Sequence, residues 1–235
     1  ARMAGNLFVV LIAGGAFAER VFLHGKLHES EKICYQILQH ALAQRGKLPE
    51  PASIILCLLG RIYLERFELS QAWEWTQRAM AVAPSPAGAN MLITTALIRA
   101  EIQLAERKHE AAKSTIKAAR RLLRQRPCNF RDEELVAHRA QVCVRQGDFI
   151  EAERLLLEID AAKEQALSQL IRAEILLQEN QPWIAETILD DFLSQYPNGF
   201  PNKPSIEARV LLIHALVAQN KLKQACRMLH KLIRS

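Results

Sequence analysis

The sequence predicts an all-α fold: a right-handed superhelical solenoid of about six antiparallel helix hairpins, repeating with a period near 40 residues. Three observations carry that expectation. Half of the 235 residues are hydrophobic but only 6% are aromatic, and Ala, Leu, Glu, Gln, Lys and Arg supply a helix-forming palette poor in strand formers. One short turn recurs six times, at Gly25–Ser30, Phe67–Ala72, Arg107–Ala112, Gly147–Ala152, Asn180–Ala185 and Asn220–Ala225, with starts 42, 40, 40, 33 and 40 residues apart. Apolar residues recur at fixed distances before each turn.

The turn has a chemical logic. Gly or Asn opens four of its six copies, and these residues take left-handed backbone angles cheaply after a helix end. The sixth position is always small (Ser30, Ala72, Ala112, Ala152, Ala185, Ala225), as close approach of two antiparallel helices demands. Seven residues before each turn stand Ala18, Gly60, Ala100, Ala140, Ala173 and Ile213; three before stand Phe22, Leu64, Leu104, Val144, Leu177 and Val217. That spacing puts small and large apolar residues on one face of each hairpin's first helix. A lone hairpin buries little, so stacking must supply the core.

In chain order the hairpins are expected at about residues 6–45, 50–83, 87–126, 131–160, 164–196 and 204–235, forming one domain over 1–235. The first opens on the apolar run Leu7–Ala18 after Arg2. Its Ala16-Phe17-Ala18 ending is like a signal-peptidase site, yet the run continues in helical register to Gly25, and its 12 residues are too few to span a bilayer. Pro49 and Pro51 separate the first two hairpins. Pro84-Ser85-Pro86 separates the next pair, with Ser85 placed to cap and Pro86 to enter the first turn. After the break at Arg126–Asn129, Asp132, Glu133 and Glu134 favour a helix start through the helix dipole. A tight junction at Ala161–Lys163 shortens the step to the fifth hairpin, whose Pro182 suits a helix start. The longest break, Pro197–Pro204, precedes the sixth.

The stretch from Gly25-Lys26-Leu27-His28-Glu29 through Leu59-Gly60-Arg61-Ile62-Tyr63-Leu64-Glu65-Arg66-Phe67-Glu68-Leu69 to Ala79–Ala83 resembles the tetratricopeptide-like region of MalT-like, LuxR-type ATP-dependent transcriptional regulators. The likeness is strongest over residues 20 to 160, and a repeat near forty distinguishes it from ordinary tetratricopeptides of about 34. The resemblance implies the sensor region of a bacterial regulator, a fragment lying between a nucleotide-binding module and a DNA-binding helix-turn-helix and answering to a small effector or an inhibitory protein. ATP and DNA would then be bound only by parts outside this chain, which itself holds no cofactor.

Two polar ladders interrupt the apolar first helices. Six residues before each turn stand Glu19, Arg61, Glu101, Gln141, Glu174 and His214; eight before stand Arg99, Arg139 and Arg172 in three consecutive hairpins. A ladder on the concave wall could grip a peptide, carboxylate or hydroxyl. Alternatively, rungs of opposite sign such as Arg61 and Glu101 pair with each other. Two residues are about 200° apart around a helix, so both ladders cannot face one groove.

Lys113, Lys117, Arg120, Arg121 and Arg124 form a basic stripe on the second helix of the third hairpin. Without interleaved aromatics a solvated face is the plainer reading, and a nucleic-acid-binding repeat the alternative. The net charge of +6 is compatible with either. A constitutive interaction scaffold is a further alternative to the sensor. Trp73 and Trp183 are expected to pack between hairpins, with Trp75 left for a partner.

His24 and His28 flank a glycine turn and lack a third ligand. Gly25-Lys26 has Arg20 where a phosphate-cradling loop needs glycine. No nucleophile-elbow motif is present, so the expectation is a non-enzyme. The five cysteines are scattered, mostly in apolar runs, without C-x-x-C spacing, which suits buried thiols in a cytoplasmic protein. Dimerisation through an apolar end face of the stack is expected.

Overall fold

The computed structural model describes residues 2–83, 89–125, 132–159, 166–195 and 203–234. Among them lie twelve α-helices and no strand. Hairpin 1 pairs α1 (Arg2–Leu23) with α2 (Leu27–Arg45). After a 3-10 turn at Glu50–Ala52, hairpin 2 pairs α3 (Ser53–Glu65) with α4 (Leu69–Val82). Then follow α5 (Ala89–Ala105) with α6 (His109–Gln125), α7 (Asp132–Gln146) with α8 (Phe149–Leu157), α9 (Ala166–Gln178) with α10 (Pro182–Ser194), and α11 (Lys203–Ala218) with α12 (Leu222–Arg234). These six hairpins fall where the recurring turn placed them. The breaks expected at Pro84–Pro86, Arg126–Asn129 and Ala161–Lys163, and all but the last two residues of Pro197–Pro204, lie outside the described residues.

Every first helix ends in the same cap. In hairpin 2 the Phe67 N–H donates to the Leu64 carbonyl at 2.9 Å and the Glu68 N–H to the Tyr63 carbonyl at 2.9 Å. Equivalent pairs of bonds close the turns at Gly25, Arg107, Gly147, Asn180 and Asn220. This double closure needs a left-handed residue, and the six turn residues have φ between 59° and 79°. Phe67 and Arg107 therefore adopt the angles that Gly or Asn supply elsewhere. The next residue already starts the second helix: Glu68, for example, accepts from the Ala72 N–H at 3.0 Å. A connection this short forces the helices antiparallel and close, which is why the sixth turn position is small; all six such residues are buried.

The described contacts divide the chain into two compact units, 1–135 and 136–235, with the division inside α7. In the first unit a single core runs from Leu7 and Leu11 of α1 through Cys34 and Leu38 of α2, Leu56, Leu59 and Ile62 of α3 and Ala72 of α4 to Ile98 and Ile102 of α5. Gly60 sits where a Cβ would stand 2.9 Å from Thr76 Cγ2, so α3 and α4 meet almost backbone to side chain there. In the second unit α9 serves two clusters: Ile171 and Ile175 pack with α7 and α8, while Leu170 and Ala173 pack with α10 and α11.

The apolar run of α1 buries Leu7, Leu11 and Ala18, and among the described residues no helix is long and apolar enough to cross a membrane. Two expectations need correcting. Val217 is 49% exposed, whereas Phe22 and Val144, at the same place before their turns, are buried. Cys34, Cys57 and Cys143 are buried free thiols, but Cys226 is exposed on the outward face of α12.

Candidate functional site

The ladder six residues before the turn lines a groove in the second unit. Gln141 of α7, Glu174 of α9 and His214 of α11 border an open cavity of about 580 Å³, whose apolar part includes Leu170, Ile171 and Leu211. The helices put them there by register. Each rung stands one residue after a buried small or apolar side chain (Ala140, Ala173 and half-buried Ile213), so the rung turns about 100° away from its hairpin's own core. Arg145, one turn further along α7, reaches Glu174 at 3.5 Å. The groove thus offers a guanidinium, a carboxylate, an amide and an imidazole around an apolar floor, a combination that can fix side chains of a bound peptide by direction as well as by burial.

In the first unit the same ladder is occupied internally. Arg61 lies 3.8 Å from Glu19 and 5.1 Å over the Phe22 ring, so its closest acidic neighbour is the preceding rung. Glu101 is half-buried on α5.

The arginine ladder turns the other way, onto the preceding hairpin's second helix. Arg99 lies 3.8 Å over the Trp73 ring and donates to Met80 Sδ at 3.0 Å; burial pulls its guanidinium below the ordinary pKa. Arg172 donates to the Leu156 carbonyl at 3.2 Å and edges a smaller cavity of about 230 Å³ with Glu153 and Ile188. Arg139 is half-buried on α7. Arg99 and Arg172 therefore tie hairpin to hairpin, and neither lines the groove.

The basic stripe on α6 is partly neutralised. Arg120 makes a bidentate pair with Asp132 at 2.8 and 2.6 Å, and Lys113 lies 3.4 Å from Glu110. Lys117, Arg121 and Arg124 are exposed.

The family model for the MalT-like TPR region matches residues 1–234, nearly the whole chain. The chain belongs to that family. A comparison with curated proteins finds no match. Among solved structures, the chain is similar to the crystal structure of a tetratricopeptide repeat protein from Parabacteroides merdae, with TM-score 0.51, 16% identity, and coverage of 97% of this chain and 80% of that one. At that identity the likeness speaks for the fold alone.

This MalT-like TPR region also carries a polar cluster that its sequence did not announce. Glu31 of α2 accepts from Tyr63 Oη at 2.6 Å and from Arg66 Nη2 at 2.8 Å. Tyr63 meets Tyr35 Oη at 2.9 Å, and Trp75 stacks on Tyr63 and meets Tyr35 edge-on. Burial pushes the Glu31 carboxyl up, but the hydrogen bonds from Arg66 and Tyr63 and the Arg66 charge outweigh it and hold the pKa below the usual value. The partners are 32 and 35 residues apart, so only alignment of one hairpin's second helix with the next hairpin's turn could have revealed them. That alignment recurs in the second unit, where Gln219 and Lys221 reach Glu186.

The tryptophans divide differently from expectation. Trp73 packs between hairpins under Arg99, and Trp75 is half-buried among tyrosines. Trp183 is 58% exposed, because Pro182 takes the buried place at the start of α10 and turns its neighbour outward.

Proposed function

We propose that this chain is the regulatory sensor region of a LuxR-type bacterial transcriptional regulator, binding a protein or peptide effector in the groove of its second unit. The observation that supports this reading is the convergence of Gln141, Glu174 and His214 on an open cavity with an apolar floor, where the equivalent rungs Glu19 and Arg61 contact each other. An occupant bridging α7, α9 and α11 fixes the spacing of three stacked first helices. That spacing is the quantity a helical repeat transmits to its neighbours. Nucleotide and DNA binding belong to modules encoded beside this region, and the assembly acts in the cytoplasm.

Two measurements test the reading. The gene should encode a phosphate-binding loop upstream and a helix-turn-helix downstream; absence of both overturns the regulator assignment. Phage-displayed peptides selected on the wild-type chain should lose about tenfold or more in affinity for a Glu174→Lys variant while its melting temperature stays within a few degrees. Peptides that bind both chains alike would remove the groove from the recognition surface.

A further inference from the structure

Outside the first and last hairpins, the large apolar side chains that stand exposed among the described residues are Phe67 and a group of four, Ile150, Leu157, Trp183 and Ile184. All four belong to α8 and α10, the second helices of neighbouring hairpins. These helices wall one open cavity of about 230 Å³, in which Glu153 and Leu157 of α8 and Ile188 of α10 stand over a floor of Arg172, Ile175 and Leu176 from α9. Ile150 lies one turn before Glu153 on the same line of α8, and Ile184 one turn before Ile188 on α10, so the apolar walls continue from the cavity toward the turns. Ile150 is 84% exposed and Leu157 78%. The corresponding pairs in earlier second helices are mostly polar: His28 and Tyr35, Ser70 and Gln77, Glu110 and Lys117. An exposed apolar groove of this kind is therefore particular to the seam between hairpins 4 and 5, and both of its walls are present.

The border of the groove is acidic, although the chain as a whole carries +6. The two wall helices hold Glu151, Glu153, Glu186, Asp190 and Asp191 against one cation, Arg154, and Arg154 is taken up by Glu151 and Glu158. Six residues after the opening of their turns, Glu31, Glu153 and Glu186 are equivalent. The next hairpin holds Glu31 through Arg66 and Glu186 through Gln219 and Lys221. In hairpin 5 the place of Arg66 and Gln219 falls to Glu179, so a second carboxylate stands where the other seams supply a donor. Arg172, on the floor, donates to the Leu156 carbonyl at 3.2 Å. Desolvation, with the Glu186 and Asp191 carboxylates, pushes the Asp190 pKa up, as a local field short of cations does.

We infer that the groove between α8 and α10 is a docking surface for a basic amphipathic helix of a partner protein, with its apolar stripe on Ile150, Leu157, Ile184 and Ile188 and its Lys or Arg side chains against Glu153 and Asp191. Apolar burial supplies the attachment, and the carboxylates select the sign of the partner. This inference is independent of the groove formed by α7, α9 and α11, so a Glu174→Lys chain retains it.

The test uses the full chain and two synthetic helices of about 18 residues, long enough to populate the helix. Both carry the same leucine stripe, flanked by Lys in one and by Glu in the other. The Lys helix should bind at least about tenfold tighter than its Glu twin and weaken with added salt, an order opposite to the one the chain's net charge alone would impose. The pair Ile150→Ser and Leu157→Ser, at sites too exposed to threaten folding, should cost at least about tenfold in affinity with helicity unchanged. The pair Glu153→Lys and Asp191→Lys should move the preference to the Glu helix. Equal binding of the twins, preference for the Glu helix, no binding, or binding that survives the changes at Ile150 and Leu157 would each overturn the inference. So would loss of binding in the Glu174→Lys chain, which would place the helix in the other groove. Concentration-dependent self-association abolished by the changes at Ile150 and Leu157 would overturn it too, assigning the face to a second copy.

Discussion

Phe67 and Arg107 hold φ near +60°, where a side chain's Cβ crowds the following carbonyl and raises the energy by about 1–2 kcal/mol. Phe67 is 70% exposed and recovers little of this by burial. Phe67→Gly should therefore raise stability by about 0.5–1 kcal/mol, net of the extra freedom glycine has in the unfolded chain; urea midpoints would show it. Glu31 acts in the opposite sense. Its folded pKa lies below its unfolded value, so its contribution is complete above the unfolded pKa of about 4.3 and drains as pH falls through the lower folded value. Glu31→Gln should destabilise by about 1.5–3 kcal/mol near neutrality, with a smaller further loss than wild type between about pH 6 and about pH 3. Equal acid sensitivity in both chains would show that Glu31 is not the titrating group.

At the scale of the hairpin, what the sequence made legible was local. A turn needing one left-handed and one small residue writes both into the chain at fixed spacing, so all six hairpins could be found, including those opened by Phe67 and Arg107. The two ladders were likewise visible as a periodicity. Which faced the groove was not, because a ring stacking on Arg99 from 26 residues upstream leaves no local pattern; nor could the Glu31 cluster be read, since it joins two hairpins. Gly60 is another such case. In sequence it reads as one more small residue, but its hydrogen occupies the space beside Thr76 Cγ2. Gly60→Ala improves helix propensity by about 1 kcal/mol, yet it should destabilise hairpin 2 by about 1–2 kcal/mol net, because the 2.9 Å approach forces α3 and α4 apart. Thr76→Ser removes the obstructing methyl and keeps the hydroxyl that donates to the Trp73 carbonyl at 2.7 Å. In that background Gly60→Ala should be neutral or stabilising. A penalty of equal size in both backgrounds would show that the methyl is not the cause.

Across the whole molecule the question is how far unfolding is shared. Stacked repeats draw stability from nearest-neighbour interfaces, so cooperativity extends only as far as those interfaces are strong. In residues 1–135 one core joins α1 to α5, whereas in residues 136–235 the buried side chains form two clusters that meet at α9. A chain with that distribution should begin to lose helix in the second unit before the first. The tryptophans make this measurable: Trp73 and Trp75 are half-buried in the first unit, while Trp183, in the second, is 58% exposed and changes little on unfolding. Fluorescence therefore follows the first unit, and far-ultraviolet circular dichroism follows both. With rising urea the dichroism should start to fall at a lower concentration than the fluorescence shifts, and a chain of residues 1–135 should reproduce the fluorescence transition unaided. Coincident curves for the full chain, together with a fragment that fails to fold, would instead make the two units one cooperative body.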